Sequence, residues 1–179
     1  MTTRVALLRG INLGSHKKVP MARLRDLAEG LGLSDPRTYV QSGNLVVETD
    51  LDEAGTVELL EGALHKEFGF TVPVISRSAD EMADIASGHP FTDLGIDDRL
   101  LHVAFLDRVP DQSLHDRIDA TRYAPDRFHC DGREIYLAYP NGSGRSKLSH
   151  ALLEKQLDVS ATSRNWRTVS KVAELAGSS

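Results

Sequence analysis

The chain has 179 residues, of which 40% are hydrophobic and one is a cysteine, and it carries 26 acidic against 21 basic side chains. This composition is too apolar for a disordered chain, and the net charge of −5 argues against a general polyanion binder. The single cysteine, Cys130, excludes an internal disulfide, and no apolar run approaches the ~20 residues of a membrane helix. We therefore expect a cytoplasmic α/β protein without a secretory signal or a membrane partner.

The first half of the chain predicts the order strand, helix, strand, strand, helix, strand. A short apolar run at 4–8 is typical of a central strand, and Pro20 marks the start of an amphipathic helix. Residues 42–44, Ser-Gly-Asn, separate two strand-like runs and predict a hairpin. Apolar residues at four-residue spacing then predict a second helix. The strand that follows it contains Pro73, which favours a position at the edge of a sheet.

The second half repeats this order after a turn-rich connector that contains a short helix. "LLHVAFL" predicts a strand, Leu114 and Ile118 mark a helix, and Asp131-Gly132 predicts another hairpin. A helix is predicted after Ser146, and the short segment "VSATS" is the predicted last strand of this half. A final helix is expected to turn Trp166 toward the core.

The predicted fold is α+β, with two ferredoxin-like (βαββαβ) halves in tandem plus a C-terminal helix. The expected boundaries are 1–78 for the first half, 79–99 for the connector, and 100–179 for the second half with its C-terminal helix. The repeat is one of element order and not of obvious residue identity.

Basic residues concentrate where acids are absent. The acid-free stretches are 9–18, 140–151 and 160–171. In a βαββαβ unit, the loop after the first strand lies at the same end as the hairpin, and the ends of the third and fourth strands lie at one edge. A first edge is therefore predicted from 9–18 with 42–44, and a second edge from "PNGSGRSK" with "SRNWR".

Both edges are candidate anion-binding sites, because arginine and lysine recognise phosphate and carboxylate groups. The candidate ligand-binding residues are Arg9, Asn12, His16, Lys17, Lys18, Arg145, Ser146, Lys147, Arg164, Asn165 and Arg167. The simpler interpretations stay open: a solvated first loop, a flexible second loop capped by Ser146, and Asn165 as a helix cap. The second edge is expected to hold the positive charges of Arg145, Lys147, Arg164 and Arg167 close together.

No catalytic residue is predicted from the sequence. The chain has no zinc-ligand spacing, no HExxH, no GxGxxG and no Walker pattern, so neither a metal nor a cofactor is expected. Cys130 is expected to be a half-buried structural thiol, and Asn44 to serve the hairpin turn with a positive φ. The sheets lack the basic-aromatic pattern of RNA-binding modules.

Several segments together resemble a known group of bacterial proteins. "RGINLGSHKKVPMARLRDL", "TYVQSGNLVVE" and "RSKLSHALLEKQLDVSATSRNWRTVSKVAEL" closely resemble the family called domain of unknown function 1697, over nearly the whole chain. The resemblance implies a two-part α+β fold related to ferredoxin-like units. It implies no activity, since the family has no established one and no catalytic residues to carry over.

These observations lead to three functional hypotheses. The leading one is a protein that binds a phosphate-bearing ligand, either a nucleotide-like small molecule or a short nucleic acid, through its basic loop edges. The second is an enzyme acting on a phosphorylated small molecule with positioned bases. The third is an interaction module that docks an acidic partner. The oligomeric state is not predicted.

Overall fold

A computed structural model describes residues 1–178. It is an α+β protein with two four-stranded antiparallel sheets. The chain packs as two compact units. Unit 1 contains Met1–Ser87 and the segment from Ser170 onward, and unit 2 contains Gly88–Val169. The predicted boundaries at 78 and 99 stay a prediction.

Unit 1 contains a four-stranded sheet and three complete helices. In chain order its elements are β1 (Thr2–Leu8), α1 (Met21–Gly30), β2 (Ser34–Tyr39), β3 (Asn44–Thr49), α2 (Glu53–Phe68), β4 (Val74–Ser78) and α3 (Ala79–Ala86). The strand order is β2-β3-β1-β4 with every neighbouring pair antiparallel. The predicted separation of β1 from β2 by another strand is confirmed, and Pro73 directly precedes the edge strand β4.

Apolar spacing and capping residues explain the helices of unit 1. α2 begins where Asp52 accepts a hydrogen bond from the Gly55 amide, and it ends at Gly69 in the left-handed conformation. α3 begins with a capping box between Ser78 and Glu81. Leucines of α1 and α2 pack with alternate sheet residues such as Ala6 and Leu8, while α3 packs against β1 and β4.

The segment from Ser170 onward completes unit 1. Val172 and Ala176 are buried, and the Arg37 guanidinium on β2 donates to the Leu175 carbonyl at 2.7 Å. These residues belong to the last helix, α6 (Trp166–Gly177), so the division between the units falls inside that helix.

Unit 2 has the same strand order with shorter helices. Its elements are β5 (Leu101–Leu106), α4 (Gln112–His115), β6 (Arg127–Asp131), β7 (Glu134–Ala138), α5 (His150–Leu157) and β8 (Ala161–Asn165), followed by the start of α6. The sheet order is β6-β7-β5-β8, so the predicted last strand is present. α5 begins after Ser149, which caps the Leu152 amide, and not after Ser146 as expected. Within residues 1–178, no helix is long and apolar enough to cross a membrane.

One residue pair repeats between the two sheets, contrary to the expectation that only element order repeats. Ser76-Arg77 on β4 and Ser163-Arg164 on β8 occupy equivalent positions, where each arginine faces a valine of the central strand in register. Each guanidinium donates to the carbonyl of the preceding serine, at 2.8 Å and 2.9 Å. Arg77 is 1% exposed and Arg164 is 8% exposed. Both arginines are therefore part of the buried structure.

His89 is the centre of a buried aromatic cluster in unit 2. Its ring lies 5.1 Å from that of Trp166 and 5.2 Å from that of Tyr136, both edge-on. The Phe91 amide donates to His89 Nδ1 at 3.3 Å, so Nε2 carries the proton and donates to the His102 carbonyl at 3.0 Å. Trp166 is buried, as expected from the sequence. Both nitrogens of His89 are used within this cluster.

We expect acid to destabilise the protein through His89. Burial lowers the pKa of His89 below its ordinary value, although the hydrogen bond with the His102 carbonyl opposes this effect. The unfolded state therefore binds more protons, and the free energy of unfolding falls as the pH drops below about 6.5. Denaturant titrations between pH 5 and 7.5 measure this loss. His89→Gln should reduce the pH dependence, while His129→Gln, an exposed control on β6, should keep it; equal slopes in all three proteins would contradict the expectation.

Candidate functional site

The first edge forms as the topology predicts. The loop after β1 lies against the β2–β3 turn: the Leu8 amide donates to the Gly43 carbonyl at 2.8 Å, and Asn12 Nδ2 donates to the Gln41 carbonyl at 2.7 Å. A Cβ on Gly43 would lie 2.7 Å from Leu8 Cβ and from Ile11 Cδ1, so only glycine fits this contact. These hydrogen bonds and the close contact at Gly43 fix the position of the β1 loop against the β2–β3 turn.

Asn12 organises the first edge instead of offering free donors. Its Nδ2 also donates to the Val19 carbonyl at 2.9 Å, and its Oδ1 accepts from the Val19 amide at 2.9 Å. Both amide protons are therefore used inside unit 1. Asn44 acts similarly: it is buried and donates to the Tyr39 carbonyl and to Ser42 Oγ. The positive φ expected at Asn44 occurs at Gly43 and Val40 instead.

The basic side chains of the first edge differ in how they are engaged. Lys17 Nζ donates to the Thr71 carbonyl at 3.2 Å and lies 6.0 Å from the centroid of the Phe70 ring. Arg9 is partly exposed and has contacts within the protein. His16 and Lys18 are exposed, and their side chains make no hydrogen bond or ion pair within residues 1–178. Two of the predicted residues are thus available to a ligand without breaking a contact.

The second edge brings its segments together but not its four charges. Ala138 and Asn165 both lie beside the start of β5, opposite Leu101 and His102 respectively. Arg164, however, lies on β8 with its guanidinium directed to Thr162 Oγ1 at 2.8 Å and to the Ser163 carbonyl. Burial lowers the pKa of Arg164 to about 10, which still leaves it charged at neutral pH. Arg164 is therefore buried and engaged within unit 2, so the expected group of four ligand-binding charges lacks this member.

The other two residues of "SRNWR" have separate roles. Asn165 Oδ1 accepts from the Thr168 amide at 2.9 Å, which makes it the cap of α6 and confirms the simpler interpretation. Arg167 is exposed and lies near Asp97, whose pKa is lowered to about 2, chiefly by hydrogen bonds from Arg99 and least by the charge of Arg167.

Arg145 and Lys147 line an open cleft in unit 2, which we call the basic cleft. Its volume is about 330 Å³. The lining residues are Arg122, Tyr123, Ala124, Pro125, Asp126, Asn141, Gly142, Arg145, Ser146 and Lys147. Arg164, Asn165 and Arg167 are not among them. The cleft therefore contains the three predicted residues of "GSGRSK" and a third cation, Arg122, that the sequence did not indicate.

A hydrogen-bonded pair fixes the wall of the basic cleft. Ser146 Oγ donates to Asp126 Oδ2 at 2.5 Å and accepts from the Leu148 amide at 2.9 Å. Leu148 is fully buried, and its carbonyl accepts from the Tyr139 hydroxyl at 2.8 Å. The loop is thus tied to the core between two cleft cations through the hydrogen bonds of Ser146.

The cations of the basic cleft outnumber its acids and form no salt bridge with them in the described chain. Arg122, Arg145 and Lys147 make no salt bridge or side-chain hydrogen bond within residues 1–178. The one lining carboxylate, Asp126, is engaged by Ser146. Asp119 is near Arg122, but its carboxylate accepts from the Thr121 amide and hydroxyl, and these bonds lower its pKa more than Arg122 does.

The described residues supply few groups suited to covalent or metal chemistry. Within residues 1–178, no three His, Cys, Asp or Glu side chains are grouped as a metal site. Burial raises the pKa of the Cys130 thiol to about 11, so the nucleophilic thiolate is scarce at neutral pH. Cys130 packs against the core of unit 2 beside Phe128.

We expect Cys130→Ser to leave ligand binding unchanged. The thiol is half-buried and packs as a small apolar group, so a hydroxyl there should cost on the order of 1 kcal/mol of unfolding free energy. Denaturant titration measures this cost, and thermal shift with a phosphate ligand measures binding. Loss of a ligand response in a folded Cys130→Ser variant would assign Cys130 a functional role and contradict the expectation.

The comparison with protein families identifies the group to which the sequence is related. The family model described as "Protein of unknown function (DUF1697)" matches residues 1–136. The chain belongs to this family. The match includes the first edge and Arg122 but ends before Arg145 and Lys147, so the resemblance noted in "RSKLSHALL…" lies beyond the DUF1697 match.

A solved structure shares the fold of this DUF1697 protein. The conserved bacterial protein SP0830 from Streptococcus pneumoniae is similar with a TM-score of 0.78, over 99% of each chain and at 21% identity. At this identity the likeness shows the fold alone. Among curated proteins, no relative matches the chain.

Proposed function

We propose that unit 2 binds a small phosphate-bearing ligand in the basic cleft. The observation that carries this proposal is the set of three cations, Arg122, Arg145 and Lys147, facing one cleft without an ion-pair partner in the described chain. Like charges held close together repel each other, and a bound anion offsets that repulsion. The lining has one carboxylate, Asp126, against these three cations, so an excess of positive charge remains to attract an anion.

The chemistry of the cations favours phosphate. A guanidinium offers parallel N–H donors that match two phosphate oxygens, and an ammonium adds a compact charge. Arg122 and Arg145 reach the cleft from different segments, so a phosphate between them would connect both walls. Asn141 and Tyr123 supply neutral polar groups beside these charges.

The dimensions of the basic cleft favour a small molecule over a long nucleic acid. A volume of about 330 Å³ lies at the lower end of the range for small-molecule sites. A nucleotide or a sugar phosphate fits that range, whereas a nucleic acid would need charges that continue along several phosphates. The proposal therefore narrows the predicted ligand classes to nucleotide-like or sugar-phosphate molecules.

A ligand screen tests the proposal. Thermal shift and calorimetry would compare inorganic phosphate, nucleoside monophosphates and sugar phosphates, because a ligand that binds only the folded state stabilises it. We expect stabilisation by at least one small phosphate, with an affinity that falls only gently as salt rises. A response to long polyanions alone, with a steep salt dependence, would refute a small-molecule site.

We also infer that both units are ferredoxin-like. The order β2-β3-β1-β4 and its counterpart β6-β7-β5-β8, antiparallel throughout, support this inference. Unit 2 departs from the pattern in its first helix, since α4 spans only four residues, Gln112–His115.

A further inference from the structure

We infer that the first edge of unit 1 is a docking surface for an acidic protein segment that also carries apolar side chains. Two exposed aliphatic residues lie there: Leu13 is 70% exposed and Val40 is 48% exposed. Their chain neighbours, Asn12 and Gln41, are joined by the 2.7 Å hydrogen bond between loop and turn. The two exposed apolar side chains thus lie on adjacent segments of the first edge, and neither residue lines the basic cleft.

The docking surface is ordered before any partner binds. The Asn12 amide donates to the Lys17 carbonyl at 3.0 Å and the His16 amide to the Leu13 carbonyl at 3.4 Å, which closes the loop on itself. Asn12 then fixes the closed loop to the turn. A segment held in one conformation loses little entropy on binding, so even a small contact area can give useful affinity.

The backbone at Val40 supports a role for its exposed side chain. Val40 has a φ of +49°, a conformation that is unfavourable for a β-branched residue and that glycine or asparagine adopts more easily. A valine there costs free energy while its side chain stays half exposed and contributes little to the core. Such strain is typical of residues retained for recognition.

The charge of the surface determines the sign of its partner. Residues 9–25 and 36–47 contain no acid, while the exposed side chains of His16 and Lys18 have no partner within residues 1–178. Lys17 keeps its position through Thr71 and Phe70 and adds the charge of a second lysine beside Lys18. Carboxylates on the partner would complement this charge, and the charge would also speed association.

The combination of positive charge and aliphatic side chains on this surface favours an acidic protein segment over a nucleic acid or an anionic membrane. Single-stranded nucleic acids bind through stacking on aromatic rings. The exposed apolar side chains here, Leu13 and Val40, are aliphatic, and Phe70 is partly buried against the core of unit 1. A membrane surface needs a larger apolar face than two separate side chains for stable binding. An acidic peptide with alternating apolar residues satisfies both features of the surface.

Selection from a random twelve-residue display library on the full chain tests this inference. Selected peptides should combine Asp or Glu with Leu, Ile, Val or Phe, and should bind in a fluorescence anisotropy assay. Leu13→Ser and Lys18→Glu should each lower the affinity for the selected peptide at least tenfold. Leu13→Ser removes an apolar contact, and Lys18→Glu reverses a charge. The double variant Arg145→Ala/Lys147→Ala should bind the peptide as the wild type does.

Three results would overturn the inference. Selected peptides without an excess of acids would remove the charge argument. Unchanged peptide affinity in folded Leu13→Ser and Lys18→Glu variants would place the binding elsewhere. Binding of single-stranded DNA or anionic vesicles that depends on Leu13 and Lys18, with no selected peptide that does, would assign the surface to another partner class. Circular dichroism of both variants confirms that they are folded.

Discussion

Replacing Arg145 and Lys147 together by alanine is expected to lower the affinity for the small phosphate ligand about 100-fold. The ligand is the one that the screen identifies. Each side chain is expected to make a charge-assisted hydrogen bond, and two such bonds at roughly 1.5 kcal/mol each correspond to this factor. The unliganded protein should keep its melting temperature, because both side chains are exposed and form no salt bridge within residues 1–178. Calorimetry measures the affinity, and differential scanning measures the melting temperature.

A matched control separates this effect from a general loss of charge. Arg117 and Lys155 are exposed cations of unit 2 that do not line the basic cleft. Their double alanine variant also loses one arginine and one lysine, so it has the same net charge as Arg145→Ala/Lys147→Ala. It should bind the phosphate ligand as the wild type does. Equal weakening in both double variants would reduce the proposal to unspecific electrostatics. Unfolding of Arg145→Ala/Lys147→Ala would show that these side chains are structural.

Gly43→Ala is expected to cost about 2–4 kcal/mol of unfolding free energy. Gly43 has a φ of +78°, where alanine is strained, and the added Cβ would lie 2.7 Å from Leu8 Cβ. Leu8 Cβ is fixed to the backbone of β1 and cannot move aside, so overpacking adds to the conformational cost. The first edge would open at the contact that holds its loop to the turn.

Gly14→Ala is the matched control for this substitution. Gly14 has a φ of +59° but nothing within 4 Å of an added Cβ, so alanine should cost only the conformational part, about 1 kcal/mol. Denaturant titrations of the two variants measure the difference. Similar losses of stability would show that the Leu8 contact relaxes and that Gly43 is needed for its conformation alone.

Local patterns predicted most of the fold because strand alternation, caps and turns act over a few residues. The run at 4–8, the Gly132 hairpin and the weak signal of "VSATS" all correspond to strands or turns in the structure. The helix expected around Leu114 and Ile118 is a four-residue turn of helix, since apolar spacing alone does not fix helix length. The cytoplasmic location stays a prediction.

The candidate site was harder to predict because it depends on side-chain direction and on distant segments. Charge alone suggested Arg164 as a ligand-binding residue, but its position on β8 directs it into the structure. The equivalent Ser-Arg pair on β4 was the overlooked signal. Arg122 was missed because its segment has no motif and reaches Arg145 only through the tertiary fold. "GSGRSK" was found because its bases and turn residues are contiguous.

Assignment of the segment from Ser170 onward to unit 1 affects how the chain folds during synthesis. A ribosome makes about 5–20 residues per second, so this segment is made on the order of 10 s after Ser87. Until then, Arg37 lacks the Leu175 carbonyl to which it donates in the folded protein. Unit 2 is translated in full during that interval. Unit 1 therefore cannot make its contacts with this segment until all of unit 2 has been synthesised.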